Sequence, residues 1–505
     1  MTKQKKKKKL SFPTAFTVLF IVLIISAILT YVVPAGSYAK LTYNKDNNNF
    51  SVTMPNGDEK SEPATQETLN KLGIKIGIDK FKDESINKPI AIPGTYEKVK
   101  QKPQGLKEIV EAPIQGTYDT IDIILFVLVI GGIIGILNAT GAFNAGIASL
   151  SKATKGREYL LIVLLTILIS IGGTTFGMAE ETIALYPILI PVFLAAGYDA
   201  MVCIASIYMG SSIGTMFATV NPFSSVIASN AAGINFTEGL NFRFIGLVLA
   251  TVITIVYIVR YANKVKKDPT KSLIYDQKEE IEAKYLRDEG EEVPKFTFRL
   301  KLMLIIFALA FVVMIYGVSV KHWWFTEMTA LFLVVSIILG FISTLSEKEF
   351  VNNFIAGAGD LVGVALIIGV ARSINLVLEN GQISDTLLNF FSKGVQGMNG
   401  SIFIILMLII FIILGFFIPS SSGLAVLAIP IMAPLADTVG LPRDVIVSSY
   451  QFGQGLISFI TPTGLILATL AMVDVTYNKW IKFIMPLMVI ITVFAAALLL
   501  IQIHF

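Results

Sequence analysis

The sequence has very few of the side chains that build metal sites or disulfide frameworks. Its one cysteine, Cys203, lies in an apolar run, and its two histidines, His322 and His504, have no plausible partner nearby. A single cysteine excludes a disulfide within the chain, and the ligand spacing of a zinc site is absent. We therefore expect no metal site.

Motifs of catalysis and of nucleotide binding are also missing. The sequence contains no G-x-x-x-x-G-K-[ST] pattern, so we do not expect ATP hydrolysis within this chain. It shows neither a nucleophile paired with a base nor a metal-binding spacing. The stretch at 261–300 carries both signs of charge and gives no reason to expect nucleic-acid binding. The sequence thus predicts neither an enzyme nor catalytic residues.

Charge is scarce as well. Only 15% of the 505 residues are charged and 54% are hydrophobic, with a mean hydropathy of +0.72. Between short charged blocks lie many apolar runs of 18 or more residues, enough to cross about 30 Å of hydrocarbon. The sequence therefore predicts an all-α polytopic membrane protein.

The distribution of basic residues predicts the orientation. Lys3 and the lysines at 5–9 precede the first apolar run and indicate a cytoplasmic N-terminus in the cell membrane, since cytoplasmic segments carry an excess of Lys and Arg. A cleaved signal peptide starts in the same way, but the run at 12–33 is long for its core and no convincing cleavage site follows. The same bias places the C-terminus outside.

These features divide the chain into five segments. The insert has little periodicity, and either a small cap or a loosely ordered segment would fit it. The predicted segments are a cytoplasmic basic N-terminus with the first span (1–34), an extracellular polar insert (35–117), a first repeat (118–260), a cytoplasmic linker (261–300) and a second half with a second repeat (301–505).

The segment at 172–191, GGTTFGMAEETIALYPILIP, contains Glu180 and Glu181. It lies within an otherwise apolar stretch that is long enough to span a membrane. An ionisable group at membrane depth costs roughly 2.5 to 3.5 kcal/mol, so a sequence that keeps two there indicates a use for them. Each apolar arm is too short to cross, which predicts a re-entrant hairpin entering from the cytoplasm. A similar segment at 419–434, PSSSGLAVLAIPIMAP, predicts a second hairpin entering from outside.

Two further apolar stretches are interrupted. Pro222 in NPFSS breaks the stretch at 200–233, and TPTG breaks the stretch at 444–475, because proline removes a helix donor. Together with seven plain spans, these two broken helices give about nine transmembrane helices.

The two halves share the spacing of their prolines and glycines. Pro187 and Pro191 are followed by Gly197, as Pro430 and Pro434 are followed by Gly440, with the same intervals. Because the halves enter the membrane from opposite sides, this predicts an inverted-topology repeat. Such repeats place substrate and coupling ions near the midplane.

The quoted motifs resemble a known family. The opening SFPTAFTVLFIVLIISAILTYVVPAGSY, the tip GGTTFGMAEET, the NPFSS break and the PSSSG tip are similar to those of YfcC-type transporters, grouped with the four-carbon dicarboxylate anaerobic carriers in the ion transporter superfamily. The resemblance implies a homodimer whose transport domain moves elevator-fashion. Some members are arginine/ornithine antiporters, whereas the family label implies dicarboxylates.

Glu180 and Glu181 are the first candidate site residues. On a helix they point about 100° apart, so one can face substrate while the other binds a proton or sodium ion. The alternative is that one of them only orients the tip by bonding a helix end or a hydroxyl. Two carboxylates suit a cationic amine or guanidinium.

Arg372 lies in the middle of a predicted span, in GVARSIN. It is costly there unless it is paired or faces water, and it could clamp a carboxylate with two hydrogen bonds. A structural partner, such as Asp360, Glu180 or a backbone carbonyl, fits equally well. Arg372 with the two carboxylates would suit an amino acid.

The remaining candidates are neutral groups at the tips and breaks, which the superfamily uses for sodium or a substrate carboxylate. We expect secondary active transport of small amino acids, basic ones first, with C4-dicarboxylates as the alternative and a channel as a further one. No cofactor is expected; Na+ or H+ is the coupling ion, and the partners are a small-molecule substrate and membrane lipid, without nucleic acid. The neutral candidates are Gly173, Thr174, Thr175, Asn221, Ser224, Ser225, Ser420, Ser421, Ser422, Thr461 and Thr463.

Overall fold

The computed structural model describes residues 13–83, 86, 88–286, 295–321, 323–395 and 397–504. The basic N-terminal lysines at 3 and 5–9, the linker residues 287–294 and His322 lie outside the described residues, so the expectations that rest on them stay predictions.

The chain begins with one apolar helix and then forms a small β-rich insert. Thr14 caps α1 by accepting the N–H of Thr17. The elements are α1 Ala15–Val32, β1 Gly36–Ser37, β2 Lys40–Asn44, β3 Asn49–Thr53, β4 Glu59–Pro63, α2 Gln66–Lys71, α3 Asp79–Lys82, β5 Ile90–Ala91 and β6 Glu97–Lys98.

The insert has its own apolar core. Strands β4, β3, β2 and β5 form an antiparallel sheet in that order, and β1 pairs with β6. Leu41, Phe50 and Leu69 are fully buried, and the ring of Phe81 meets that of Phe50 edge-on at 5.2 Å. The sequence left open whether the insert is a small cap or a loosely ordered segment, and the structure shows a folded insert. The protein is therefore mostly helical rather than all-α.

The first half is a run of helices with two irregular points. A 3-10 turn, Glu180–Leu185, precedes α8, and a π turn, Pro222–Val226, precedes α10. The helices are α4 Leu106–Asp119, α5 Ile121–Ala139, α6 Ala142–Thr154, α7 Tyr159–Thr175, α8 Tyr186–Ala195, α9 Ala200–Met216, α10 Ile227–Ala232 and α11 Leu240–Lys267.

The structure describes the linker residues 261–286. After two 3-10 turns, Pro269–Lys271 and Tyr275–Gln277, it forms α12, Lys278–Tyr285. Lys284 of α12 pairs with Asp474 at 2.6 Å, so the linker contacts the end of the second half.

The second half is also a run of helices. The 14-residue α4 and 19-residue α5 have counterparts of the same lengths in α15 and α16. The helices are α13 Phe298–Lys321, α14 Phe325–Ser343, α15 Glu347–Asp360, α16 Val362–Asn380, α17 Ser384–Gly394, α18 Gly400–Phe417, α19 Ser421–Thr438, α20 Arg443–Ser458, α21 Ile466–Met472 and α22 Tyr477–Gln502.

Among the described residues, nine helices are long and apolar enough to cross a membrane: α1, α5, α11, α13, α14, α16, α18, α19 and α22. The expected number was also nine, but that count used the broken helices at 200–233 and 444–475 and assigned α18 and α19 to a hairpin. Helices α18 and α19, the arms of the second predicted hairpin, have 18 residues each. Helices α7 and α8, the arms of the first predicted hairpin, have 17 and 10. The protein is a multi-pass membrane protein.

Glycines allow the two halves to pack closely. Helix α5 lies against α15, and α4 lies against α16. A Cβ atom added to Gly131 of α5 would lie 2.6 Å from the carbonyl oxygen of Gly357 in α15, so the helices touch through their backbones. This packing brings the end of α4 to the middle of α16.

We predict that the insert and the linker lie on opposite faces of the membrane, because the inside segments hold most of the basic residues. The native Cys203 is buried and should label poorly. In intact cells, a membrane-impermeant maleimide should label Lys60→Cys in the insert, and should label Glu280→Cys in α12 only after lysis. Both sites are exposed. Labelling of both from one side would contradict the predicted topology.

Candidate functional site

The end of α7 and the first helix break are joined by hydrogen bonds. Thr174 Oγ1 accepts the N–H of Thr219 at 2.9 Å, and its hydroxyl lies 3.1 Å from that of Thr219. Asn221 Nδ2 donates to the carbonyl oxygen of Gly173 at 3.0 Å, and its Oδ1 accepts the N–H of Phe223 at 2.8 Å. Three predicted site residues, Gly173, Thr174 and Asn221, thus lie together.

Gly173 is required by packing as well as by its place at the tip. A Cβ atom there would lie 2.7 Å from the carbonyl oxygen of Ser211 in α9, and would also approach Gly214. The neighbouring Thr175 turns back into its own helix, because its hydroxyl donates to the carbonyl of Ile171 at 2.6 Å. Of these two candidates, Gly173 is the one at the contact with α9.

Glu180 and Glu181 lie on the 3-10 turn after this tip. Glu181 is 8% exposed, and its Oε2 accepts the N–H of Ala179 at 3.0 Å, whereas Glu180 is half-buried. Among the described residues, no lysine or arginine forms an ion pair with either. The other charged group that acts electrostatically on Glu180 is Asp122 of α5, a third carboxylate. The first tip is thus an acidic site with no cationic side chain paired to it among the described residues.

The first tip lies beside the second helix break. Tyr208 of α9 is close enough to Glu180 to interact electrostatically with it, and its hydroxyl donates to the carbonyl of Ser458 at 2.7 Å. Just beyond, the hydroxyls of Thr461 and Thr463 are buried and lie 2.7 Å apart. The predicted threonines at this break therefore belong to the same region as the carboxylates.

The second tip is formed by residues 420–422 at the start of α19. Ser420 caps its own helix, and the carbonyl oxygen of Ser421 accepts a hydrogen bond from Tyr450 at 2.6 Å. Ser422 Oγ lies 2.6 Å from Nζ of Lys88, which belongs to the insert. Sequence reasoning missed Lys88, because the polar insert contains many lysines and no sequence pattern distinguishes this one from the others.

Arg372 has partners other than those expected. Its Nε lies 3.4 Å from Oδ2 of Asp119, and its Nη1 lies 3.3 Å from Oε1 of Glu379. The suggested partners, Asp360 and Glu180, were wrong, because α16 packs its middle against the end of α4. Arg372 also acts electrostatically on Lys88 of the insert.

Ser224 and Ser225 lie in the π turn after the first break. Both are buried, and among the described residues neither hydroxyl has a hydrogen-bond partner. Helix α20 packs against this turn and carries two more buried hydroxyls without partners, Ser448 and Ser449. Such neutral oxygens are available to a water molecule or a monovalent cation.

The apolar spans, the interrupted helices and the polar tips are typical of a membrane transporter. The family model for the C4-dicarboxylate anaerobic carrier, DcuC, matches residues 12–504. The chain therefore belongs to the C4-dicarboxylate anaerobic carrier family, which confirms the resemblance seen in the sequence.

Two relatives match along nearly their whole length. An uncharacterized protein of Haemophilus influenzae is 50% identical over 100% of this chain and 99% of its own. The putative basic amino acid antiporter YfcC of Escherichia coli is 29% identical over 95% of this chain and 94% of its own.

Two solved structures also align with the chain. The YdaH transporter of Alcanivorax borkumensis is 12% identical with a TM-score of 0.39, and covers 97% of this chain and 98% of its own. MtrF of Neisseria gonorrhoeae is 15% identical with a TM-score of 0.38, and covers 98% of this chain and 96% of its own.

We predict that Gly173→Ala destabilises the protein by about 1 to 3 kcal/mol, because the added methyl forces α7 away from α9. It should also reduce transport, since the contact with Asn221 moves with it. The measurement is thermal unfolding in detergent together with uptake. Gly363→Ala is the matched control, because nothing lies within 4 Å of the added atom. Equal unfolding temperatures for the two variants would contradict the prediction.

Proposed function

We propose that this protein is a secondary active transporter that moves small amino acids, basic ones such as arginine and ornithine, across the cell membrane, as an exchanger or an ion-coupled symporter. The observation that carries the proposal is the first tip, where Glu180 and Glu181 have no cationic partner among the described residues. An uncompensated carboxylate in apolar surroundings is costly. A guanidinium or amine of the substrate would supply the missing charge.

The carboxylate of an amino acid needs the opposite kind of site. Arg372 and the second tip offer it, because a guanidinium can bind a carboxylate with two hydrogen bonds. The name of the E. coli relative, a putative basic amino acid antiporter, supports the same class of substrate at 29% identity.

The alternative substrate is a C4-dicarboxylate, after which the family is named. Arg372, Lys88 and the hydroxyls at 420–422 favour it, since all three can bind an anion. The unpaired carboxylates of the first tip speak against it unless they take up protons.

The equal lengths of α4 and α15 and of α5 and α16 support an inverted-topology repeat, with the first and second tips in equivalent positions. In this arrangement the helix breaks surround the substrate, and Na+ or H+ is the coupling ion. Ser224, Ser225, Thr461 and Thr463 supply neutral oxygens for Na+, while the glutamates can carry protons. A cytoplasmic N-terminus, re-entrant tips and a homodimer that works as an elevator complete the proposal.

The test is counterflow in proteoliposomes that hold the purified protein. An exchanger should carry labelled arginine into vesicles loaded with ornithine and not into empty ones, whereas a symporter should carry it into empty vesicles under an inward gradient of Na+ or H+. External arginine and ornithine should compete, whereas succinate and malate should not. Uptake of labelled succinate that arginine never inhibits would overturn the amino-acid assignment and favour the dicarboxylate.

The two glutamates should have separable roles. Glu180 is half-buried and accessible to substrate, so Glu180→Gln should raise the half-saturation concentration for arginine about tenfold or more, the loss of a charged hydrogen bond. Glu181 is buried, so Glu181→Gln should remove the dependence of transport on pH or Na+. Glu279→Gln in the exposed part of α12 is the control. Unchanged kinetics in both tip variants would show that the carboxylates only shape the tip.

A further inference from the structure

The insert contributes a cation to the second tip. The ammonium of Lys88 donates to Ser422 Oγ at 2.6 Å, although the two residues are 334 positions apart in the chain. Ser422 is 9% exposed and lies in the first turn of α19. Lys88 of the insert is therefore in direct contact with Ser422, a candidate substrate-binding residue.

Lys88 has no carboxylate partner among the described residues. A lysine ammonium carries three donors, and the hydrogen bond to Ser422 uses one of them. Burial of the ammonium lowers the pKa of Lys88, the Arg372 guanidinium lowers this pKa further, and Glu379 opposes the change. Among the described residues, Ser422 is the side chain that hydrogen-bonds the ammonium of Lys88, which leaves two of its donors for a ligand.

The fold holds Lys88 at this position. Pro89 follows it and favours an extended backbone at Lys88. The next two residues form β5, which pairs with β2 in the register Lys40 to Ala91 and packs against α19. At the other end of α19, Lys75 of the insert pairs with Asp437 at 3.0 Å. The insert is thus fixed along α19 at two points.

We propose that Lys88 is a specificity-determining residue that binds the carboxylate of the transported substrate at the second tip, with Ser422 orienting its ammonium. A carboxylate offers about four acceptor positions, to which the remaining N–H donors of Lys88 can hydrogen-bond. The inference rests on the proposed function, because it supplies the anion site that an amino acid needs opposite the glutamates of the first tip.

The test compares Lys88→Gln with wild type in the counterflow assay. Unlabelled arginine competes in one arm, and agmatine, which keeps the guanidinium but lacks the carboxylate, competes in the other. Lys88→Gln should weaken competition by arginine about tenfold, the loss of one partly solvated charged hydrogen bond, and leave agmatine unchanged. Lys88→Arg should restore most of the preference for arginine over agmatine. Lys75→Gln, on the same insert but paired with Asp437, should leave it intact.

Three results would overturn the proposal: equal weakening for arginine and agmatine, a lower maximal rate with unchanged affinity, or tighter arginine binding in Lys88→Gln. The last would show that Lys88 occupies the site of a cationic substrate. If the wild-type protein carries succinate and not arginine, the proposed function fails, yet Lys88→Gln should still raise the half-saturation concentration for succinate. Failure of that arm would overturn the assignment of Lys88 separately. A wild type that carries neither overturns both.

Discussion

Backbone carbonyls freed at a helix break must find donors within the protein, because hydrocarbon supplies none. Carbonyls at both tips obtain them from a neighbouring element: Asn221 donates to Gly173, and Gln454 Nε2 donates to the carbonyl of Pro419 at 3.1 Å. Trp480 does the same for Phe459 at 2.8 Å. Many polar side chains at membrane depth therefore stabilise the backbone. The groups left over are the ones available to substrate and ions.

Much of the fold could be predicted, because uniform hydropathy over 18 residues marks a span and proline marks a break. The interrupted stretches predicted at 200–233 and 444–475 correspond to the helix pairs α9 and α10, and α20 and α21. The sheet of the insert could not be predicted. Its strands are short and polar, and β2 pairs with β5 across a long stretch of chain, so the pairing depends on contacts that no local pattern reveals. The short helices α6, α15 and α17 were missed for a similar reason, since their burial depends on neighbours.

The candidate site was predictable where one segment contains it and not where two segments meet. The Gly/Thr/Glu tip and the break at Asn221 were found because their composition is unusual for a span. The ion pair of Arg372 with Asp119 results from the packing of α4 on α16, and the contact of Lys88 with Ser422 results from the docking of the insert. Contacts between distant segments of the chain determine these partners, and a single sequence does not reveal such contacts.

The charges of the two tips bear on the choice between substrates. Two unlike charges about 4 Å apart attract by about 4 kcal/mol at an effective dielectric constant of 20, and like charges repel as strongly. If both tips face one substrate, as the proposed function requires, a basic amino acid would meet each sign at the matching tip. A dicarboxylate would gain from Lys88 and Arg372 but would be repelled by Glu180 and Glu181, and protonation of the glutamates would remove that repulsion. Under the proposed function, a dicarboxylate would therefore bind only together with protons, whereas a basic amino acid would bind to the charged glutamates.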